Sequence, residues 1–201
     1  MERVARVARA ALGGAALLVA VGAAAVAPGP ATAQGTTDPA AALARLLDEA
    51  AVRRLADTLD HAVDTKDWAL ARAQFADRLR LDVSSLGGGP PSEVAADDLV
   101  AGWRRAFAGG KTALHLRTNH LVRFEEGGAR AVMTSHGYAW NRLPADALPG
   151  QPEPLLWEVW GTYEHRAERA GPSGAWRITG FAFNATHERG DRRVLTTALP
   201  E

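Results

Sequence analysis

The sequence predicts an α+β fold, with about three N-terminal helices packed against a curved antiparallel sheet that leaves a cone-shaped pocket. Two observations predict it. Apolar residues recur at helical spacing in the first half of the chain, and from about residue 113 they alternate in long runs separated by Gly- and Pro-rich breaks. Helices gathered early and antiparallel strands late are the pattern of a sheet wrapped over helices rather than of alternating βαβ units.

The first segment is read as an export signal. Arg3, Arg6 and Arg9 form a basic start, residues 10–27 are apolar throughout, and Pro28-Gly29-Pro30 breaks the run before Ala31-Thr32-Ala33. This order predicts cleavage after Ala33 and an exported chain, periplasmic or secreted, with no stable membrane anchor. A retained anchor is the rival reading, since the apolar run almost reaches bilayer length. Loss of three Arg and Glu2 with the signal leaves a formal charge of −2. That balance argues against nucleic acid as a partner. The absence of cysteine excludes disulfides, thiol catalysis and Cys-ligated metal sites.

Residues 34–41 read as a flexible leader, and 42–187 as the domain. A first helix is expected over 42–64, where Leu43, Leu47, Leu55, Leu59 and Val63 recur at helical spacing. Asp67 caps a second helix carrying Trp68, Ala71 and Phe75. Alternation in Arg78-Leu79-Arg80-Leu81-Asp82-Val83 then marks a strand. Gly87-Gly88-Gly89-Pro90-Pro91 is a loop without the Lys-Ser/Thr ending of a phosphate-binding loop. Leu99, Trp103 and Phe107 define a third helix over 92–108. Strands follow at 113–124, 129–141, 155–168 and 175–184. The four prolines of 142–154 predict a mobile loop beside the pocket mouth, and 188–201 reads as a loose polar tail.

Side-chain alternation on the 113–124 strand sets Leu114, Leu116, Thr118, His120, Val122 and Phe124 on the apolar, inward face. His115, Arg117 and Asn119 fall on the other. His120 is then either a core histidine held by a backbone or hydroxyl partner, or a catalytic or ligand-binding group. His115 and His120, an odd number apart on an unbroken strand, are not expected to share a metal. Asp57, Asp60 and Asp64 lie on one side of the first helix, as a solvated acidic face or, for Asp64, as a carboxylate facing the cone. His136 shares a strand face with Tyr138, and Tyr163 shares one with Trp157 and Val159; either set lines the pocket or serves packing.

Val63-Asp64-Thr65-Lys66-Asp67-Trp68, followed by Phe75 and the Arg78–Val83 strand, resembles the opening of SnoaL-like proteins of the nuclear transport factor 2-like superfamily. Leu116-Arg117-Thr118-Asn119-His120 and Trp176-Arg177-Ile178 fit the same pattern, in its scytalone dehydratase-like branch. The resemblance implies a pocket for a small, largely apolar organic ligand, without cofactor or metal. It also implies lyase or isomerase chemistry in which His120 is the general acid or base and Asp64 orients it. The substrate-binding positions it suggests are Val63, Val83, Trp103, His136, Tyr138, Asn141 and Tyr163. Val63 and Val83 replace pocket tyrosines of that branch, and Asn141 falls nearest its second histidine. A non-catalytic binding or interaction module of the cell envelope is the alternative. Homodimers are common in the superfamily.

Overall fold

The computed structural model describes residues 38–125, 127–170 and 174–200. The expected signal at 1–33 and residues 34–37 of the expected leader lie outside them. The domain is α+β. Helix α1 (Pro39–Asp64) and the short α2 (Trp68–Ala73) lead into strand β1 (Phe75–Asp82). A single 3-10 turn at Ser84–Leu86, strand β2 (Ser92–Ala95) and helix α3 (Ala96–Ala106) follow. The remaining strands are β3 (Thr112–Phe124), β4 (Arg130–Leu143), β5 (Leu155–Arg169) and β6 (Trp176–Gly190). The short helix α4 (Arg193–Thr196) comes last.

The strands form one curved, open mixed sheet in the order β2-β1-β6-β5-β4-β3. The expected meander is β3 to β6, paired antiparallel throughout. The first strand adds to its far edge in parallel with β6, and β2 continues antiparallel beyond it. Local pattern is blind to that long-range pairing, so residues 92–95, expected as helix, are claimed by the sheet instead.

Helix α1 starts earlier than expected because Asp38 accepts a hydrogen bond from the Ala40 N–H at 3.0 Å and Pro39 fills the first helical position. Val52, Leu55, Ala56, Leu59, Ala62 and Val63 are its buried stripe. Leu43 and Leu47, expected in that stripe, are exposed, so the first turns lie beyond the core. Asp67 caps α2 through the Leu70 N–H, and Phe75, expected on this helix, is the first residue of β1 and is buried. Phe75 packs with Trp103 of α3, and Trp103 with Phe181 of β6, at ring separations of 5.9 and 6.0 Å. These aromatic contacts seat α3 against the sheet.

The tail is built in, not loose. β6 runs to Gly190, Trp157 donates its indole N–H to Glu188 at 2.9 Å, and Val194 of α4 is buried. Lys111 donates to the Val194 carbonyl at 2.8 Å, and burial holds its ammonium pKa below the usual lysine value. The proline-rich connection also has internal order. Gln151 is buried and donates to the Pro144 and Glu153 carbonyls, and the Asp146 N–H donates to the Gln151 carbonyl.

Candidate functional site

β3 is not an unbroken strand. Its pairing with β4 runs regularly from Thr112 to Thr118, slips, and resumes at Leu121–Thr134. Asn119 sits at the slip with a φ of 56°, a left-handed conformation that asparagine tolerates better than most residues. One additional residue in a β-bulge reverses the alternation beyond it. His115 and Arg117 before the bulge therefore face inward together with His120, Val122 and Phe124 after it. The expected assignment of faces is corrected on the near side of the bulge: Leu114 and Leu116 are exposed, and His115 and Arg117 point to the core.

Helix α1 runs against this strand, and three of its aspartates meet three basic side chains. Asp64, the last helical residue, accepts the His115 backbone N–H at 2.8 Å through Oδ2 and lies 2.6 Å from His115 Nδ1 through Oδ1. Asp60 takes Arg117 in a fork, with Nε donating at 2.8 Å and Nη2 at 2.5 Å. Asp57 Oδ1 lies 3.2 Å from His120 Nε2, close enough for ionic contact but not aligned as a hydrogen bond. The geometry explains the match. Four helical residues from Asp60 to Asp64 rise about 6 Å, and two strand residues from Arg117 to His115 span about 6.7 Å. Asp64 thus pairs with His115, and the expected Asp64–His120 pair is replaced.

The apolar cavity beside these pairs has a volume of about 240 Å³. Leu59, Asp60 and Val63 line it from α1, Val83 and Leu86 from the segment after β1, and Leu99, Trp103 and Phe107 from α3. The sheet contributes His115, Arg117, Asn141, Trp157, Tyr163 and Phe183, and Leu195 of α4 completes the lining. Of the expected ligand-contacting positions, Val63, Val83, Trp103, Asn141 and Tyr163 are brought together here. His136 and Tyr138 are not; they alternate onto the outer face of β4. There Asn119 Nδ2 and His136 Nδ1 are 3.0 Å apart, and Tyr138 donates to Glu158 at 2.8 Å. His120 does not line this cavity. It borders a wider trough of about 670 Å³ with a more polar lining, in which His136, Thr162, Glu164 and Asn184 stand beside Leu121, Tyr163 and Phe183.

Tyr163 is the centre of the wall. Its ring lies over Gly137, where an added methyl group would overlap it, packs on Phe183 at 4.4 Å, and carries the Arg117 guanidinium 3.8 Å above its centroid. Burial pushes its phenol up to about 12, opposed by Arg117 and assisted by Asp60 and Asp64. Its hydroxyl is thus a donor at any physiological pH. The residues missed from sequence are Asp60, Arg117 and His115 as an inward group. The signal that finds them is the pair of matched spacings, Asp60/Asp64 on a helix and His115/Arg117 on a strand.

Residues 44–182 match the family model of the SnoaL-like domain. No curated protein matches the sequence. Among solved structures, the Kfla4162 protein of Kribbella flavida is 26% identical with a TM-score of 0.67, covering 76% of this chain and 99% of that one. A scytalone dehydratase-like protein of Novosphingobium aromaticivorans is 13% identical with a TM-score of 0.61, covering 75% and 91%. A hexachlorocyclohexane dehydrochlorinase of Novosphingobium barchaimii is 18% identical with a TM-score of 0.56, covering 75% and 94%. The last two show likeness of fold.

Proposed function

The chain belongs to the SnoaL-like domain family, and from that premise we propose that its inner cavity binds a small, largely apolar organic molecule and performs acid–base lyase or isomerase chemistry on it. The observation that carries the reading is the Asp64–His115 pair on the cavity wall. With Nδ1 donating to Asp64, the neutral ring keeps its lone pair on Nε2. Asp64 fixes that tautomer and the ring orientation, so that Nε2 is the nitrogen that takes a proton.

In an elimination, Nε2 removes a proton from a ligand carbon, the C–H electron pair becomes the new C=C bond, and the neighbouring C–O or C–halogen pair leaves with its group. The imidazolium returns its proton to a departing hydroxide or releases it with a halide. An isomerisation returns the proton to a different ligand atom. The dehydratase and dehydrochlorinase folds among the structural neighbours are consistent with the first course. The apolar walls keep the imidazole in a water-poor environment and give the ligand its main binding energy. The N-terminal signal read from the sequence supports a site of action outside the cytoplasm; N-terminal sequencing of the exported protein tests that.

The catalytic reading is tested by incubating the protein with a panel of small hydroxylated and chlorinated cyclic compounds and following loss of water or chloride by mass spectrometry. His115→Gln should abolish turnover, and Asp64→Asn should lower it by about 10²-fold or more, with ligand-induced thermal shifts retained in both. Thermal shifts without turnover in the native protein would instead establish a non-catalytic binder, the reading favoured by the hydroxyl-free Val63 and Val83.

A further inference from the structure

Polar side chains on the inner face of β3, β4 and β5 carry hydrogen-bonding capacity that nothing among the described residues meets. Arg117 commits Nε and Nη2 to Asp60, and its Nη1 is buried without a partner. Ser135 Oγ and both ring nitrogens of His165 are equally unpartnered, in residues only 3% and 1% exposed. His120 Nε2 is buried and makes no hydrogen bond.

Register makes these groups neighbours. The paired residues Thr118–His136 and Leu121–Thr134 bracket His120 against Ser135, Ser135 pairs with Tyr163 on β5, and His165 is the next inward residue after Tyr163. His165 stacks at 5.9 Å on the Tyr163 ring that Arg117 covers. Burial holds the His165 imidazole well below the usual histidine pKa, and the charges of Arg117 and His120 act in the same direction. The ring is therefore neutral, with one N–H to donate and one nitrogen to accept. Ser135 also offers both roles, and Arg117 Nη1 only donates. A cation would meet the guanidinium, and an anion would meet the acceptor nitrogen of His165. Water, with two donors and two acceptors, matches the mixed set.

We propose that Arg117 Nη1, His120, Ser135 and His165 form an internal hydration site behind the Tyr163 ring, whose bound water links the back wall of the pocket to the surface at Asp57. Arg117 belongs to the pocket wall at one end. At the other, His120 touches Asp57, whose side chain is 57% exposed. The route gives water a way between cavity and solvent along the β3 side of the pocket. It is independent of whether the pocket is catalytic.

Two measurements on the full chain test it. Oxygen-17 relaxation dispersion of the native protein should reveal a long-lived internal water, and water-to-imidazole NOEs should reach the His165 ring. Both signals should be lost in Ser135→Ala/His165→Phe. Thermal unfolding of Ser135→Ala alone supplies a sign: with water bound, the substitution strips it of a partner and lowers Tm by a few degrees. In a dry site it removes an unpaired hydroxyl and raises Tm. Absence of a long-lived water, a higher Tm in Ser135→Ala, or nitrogen-15 shifts showing His165 bonded directly to a protein group would each overturn the proposal.

Discussion

His115 and His120 face the same interior although five positions apart on one strand, because Asn119 is accommodated in a bulge between them. This relationship decides which histidine meets Asp64. Without the bulge, an inward His120 would leave His115 on the outer face, and the Asp64 contact to His115 Nδ1 would not form.

Asn119 should therefore be sensitive to backbone preference rather than to size. Its φ of 56° suits Gly and Asn, whereas a β-branched side chain is strained there. Asn119→Val is expected to cost about 1–2 kcal/mol, and Asn119→Gly only a few tenths. Chemical denaturation of both variants measures the difference, and equal stabilities would refute the assignment of strain.

Gly137 should be equally intolerant, for a steric reason. A methyl group there would overlap the Tyr163 ring, which is held on its other sides by Phe183 and Arg117. Gly137→Ala is expected to destabilise by about 1–3 kcal/mol and to weaken any ligand-induced thermal shift, since the displaced ring forms part of the cavity wall. A neutral effect on both readouts would show that Tyr163 yields freely.

The fold was largely legible because it follows local periodicity. The stripe from Leu55 to Val63, the Asp67 cap and the long alternating strands from residue 113 all appear in the sequence and in the structure. The site was legible only in part, because one residue of register outweighs a correct strand assignment. Val63, Val83, Trp103, Asn141 and Tyr163 come together at one cavity, but the bulge gives Asp64 His115 as its partner where unbroken alternation gives His120. Nothing in the alternation marks Asn119 as the slip. Trp157, Glu188 and Val194 illustrate a second limit: the polar tail is anchored by contacts across the chain that its own composition does not announce.

The two tyrosines should resist alkaline ionisation. Burial pushes Tyr163 to about 12. Tyr138 is also raised, chiefly by its hydrogen bond to Glu158. An unfolded chain releases both protons near about pH 10, so between that value and about 12 the unfolded state binds fewer protons than the folded one. Stability is then complete below about pH 10 and falls as pH rises through the folded value, by ~2–3 kcal/mol for Tyr163. Phenolate absorbance that lags well behind free tyrosine, and disappears as a lag in the unfolded protein, is the expected result.

Asp60 and Arg117 provide the most demanding test of the energetics, because the side chains are 12% and 2% exposed and the guanidinium is held by two parallel hydrogen bonds. Attraction in such a fork is set against the cost of taking both charges out of water, so the pair as a whole contributes little net stability. Removing one partner is a different matter. Asp60→Ala leaves a buried guanidinium with no carboxylate partner among the described residues, resting on Tyr163, and should cost about 3–5 kcal/mol. Arg117→Met removes the charge while keeping an apolar chain over the ring, and strands only a carboxylate nearer the surface; its cost should be smaller. In Asp60→Ala/Arg117→Met no uncompensated charge remains, and the double variant should recover much of the loss seen in Asp60→Ala. Denaturant unfolding of the native protein, both single variants and the double gives the coupling directly. Additive losses would mean that the two side chains act independently and that the fork does not hold in solution.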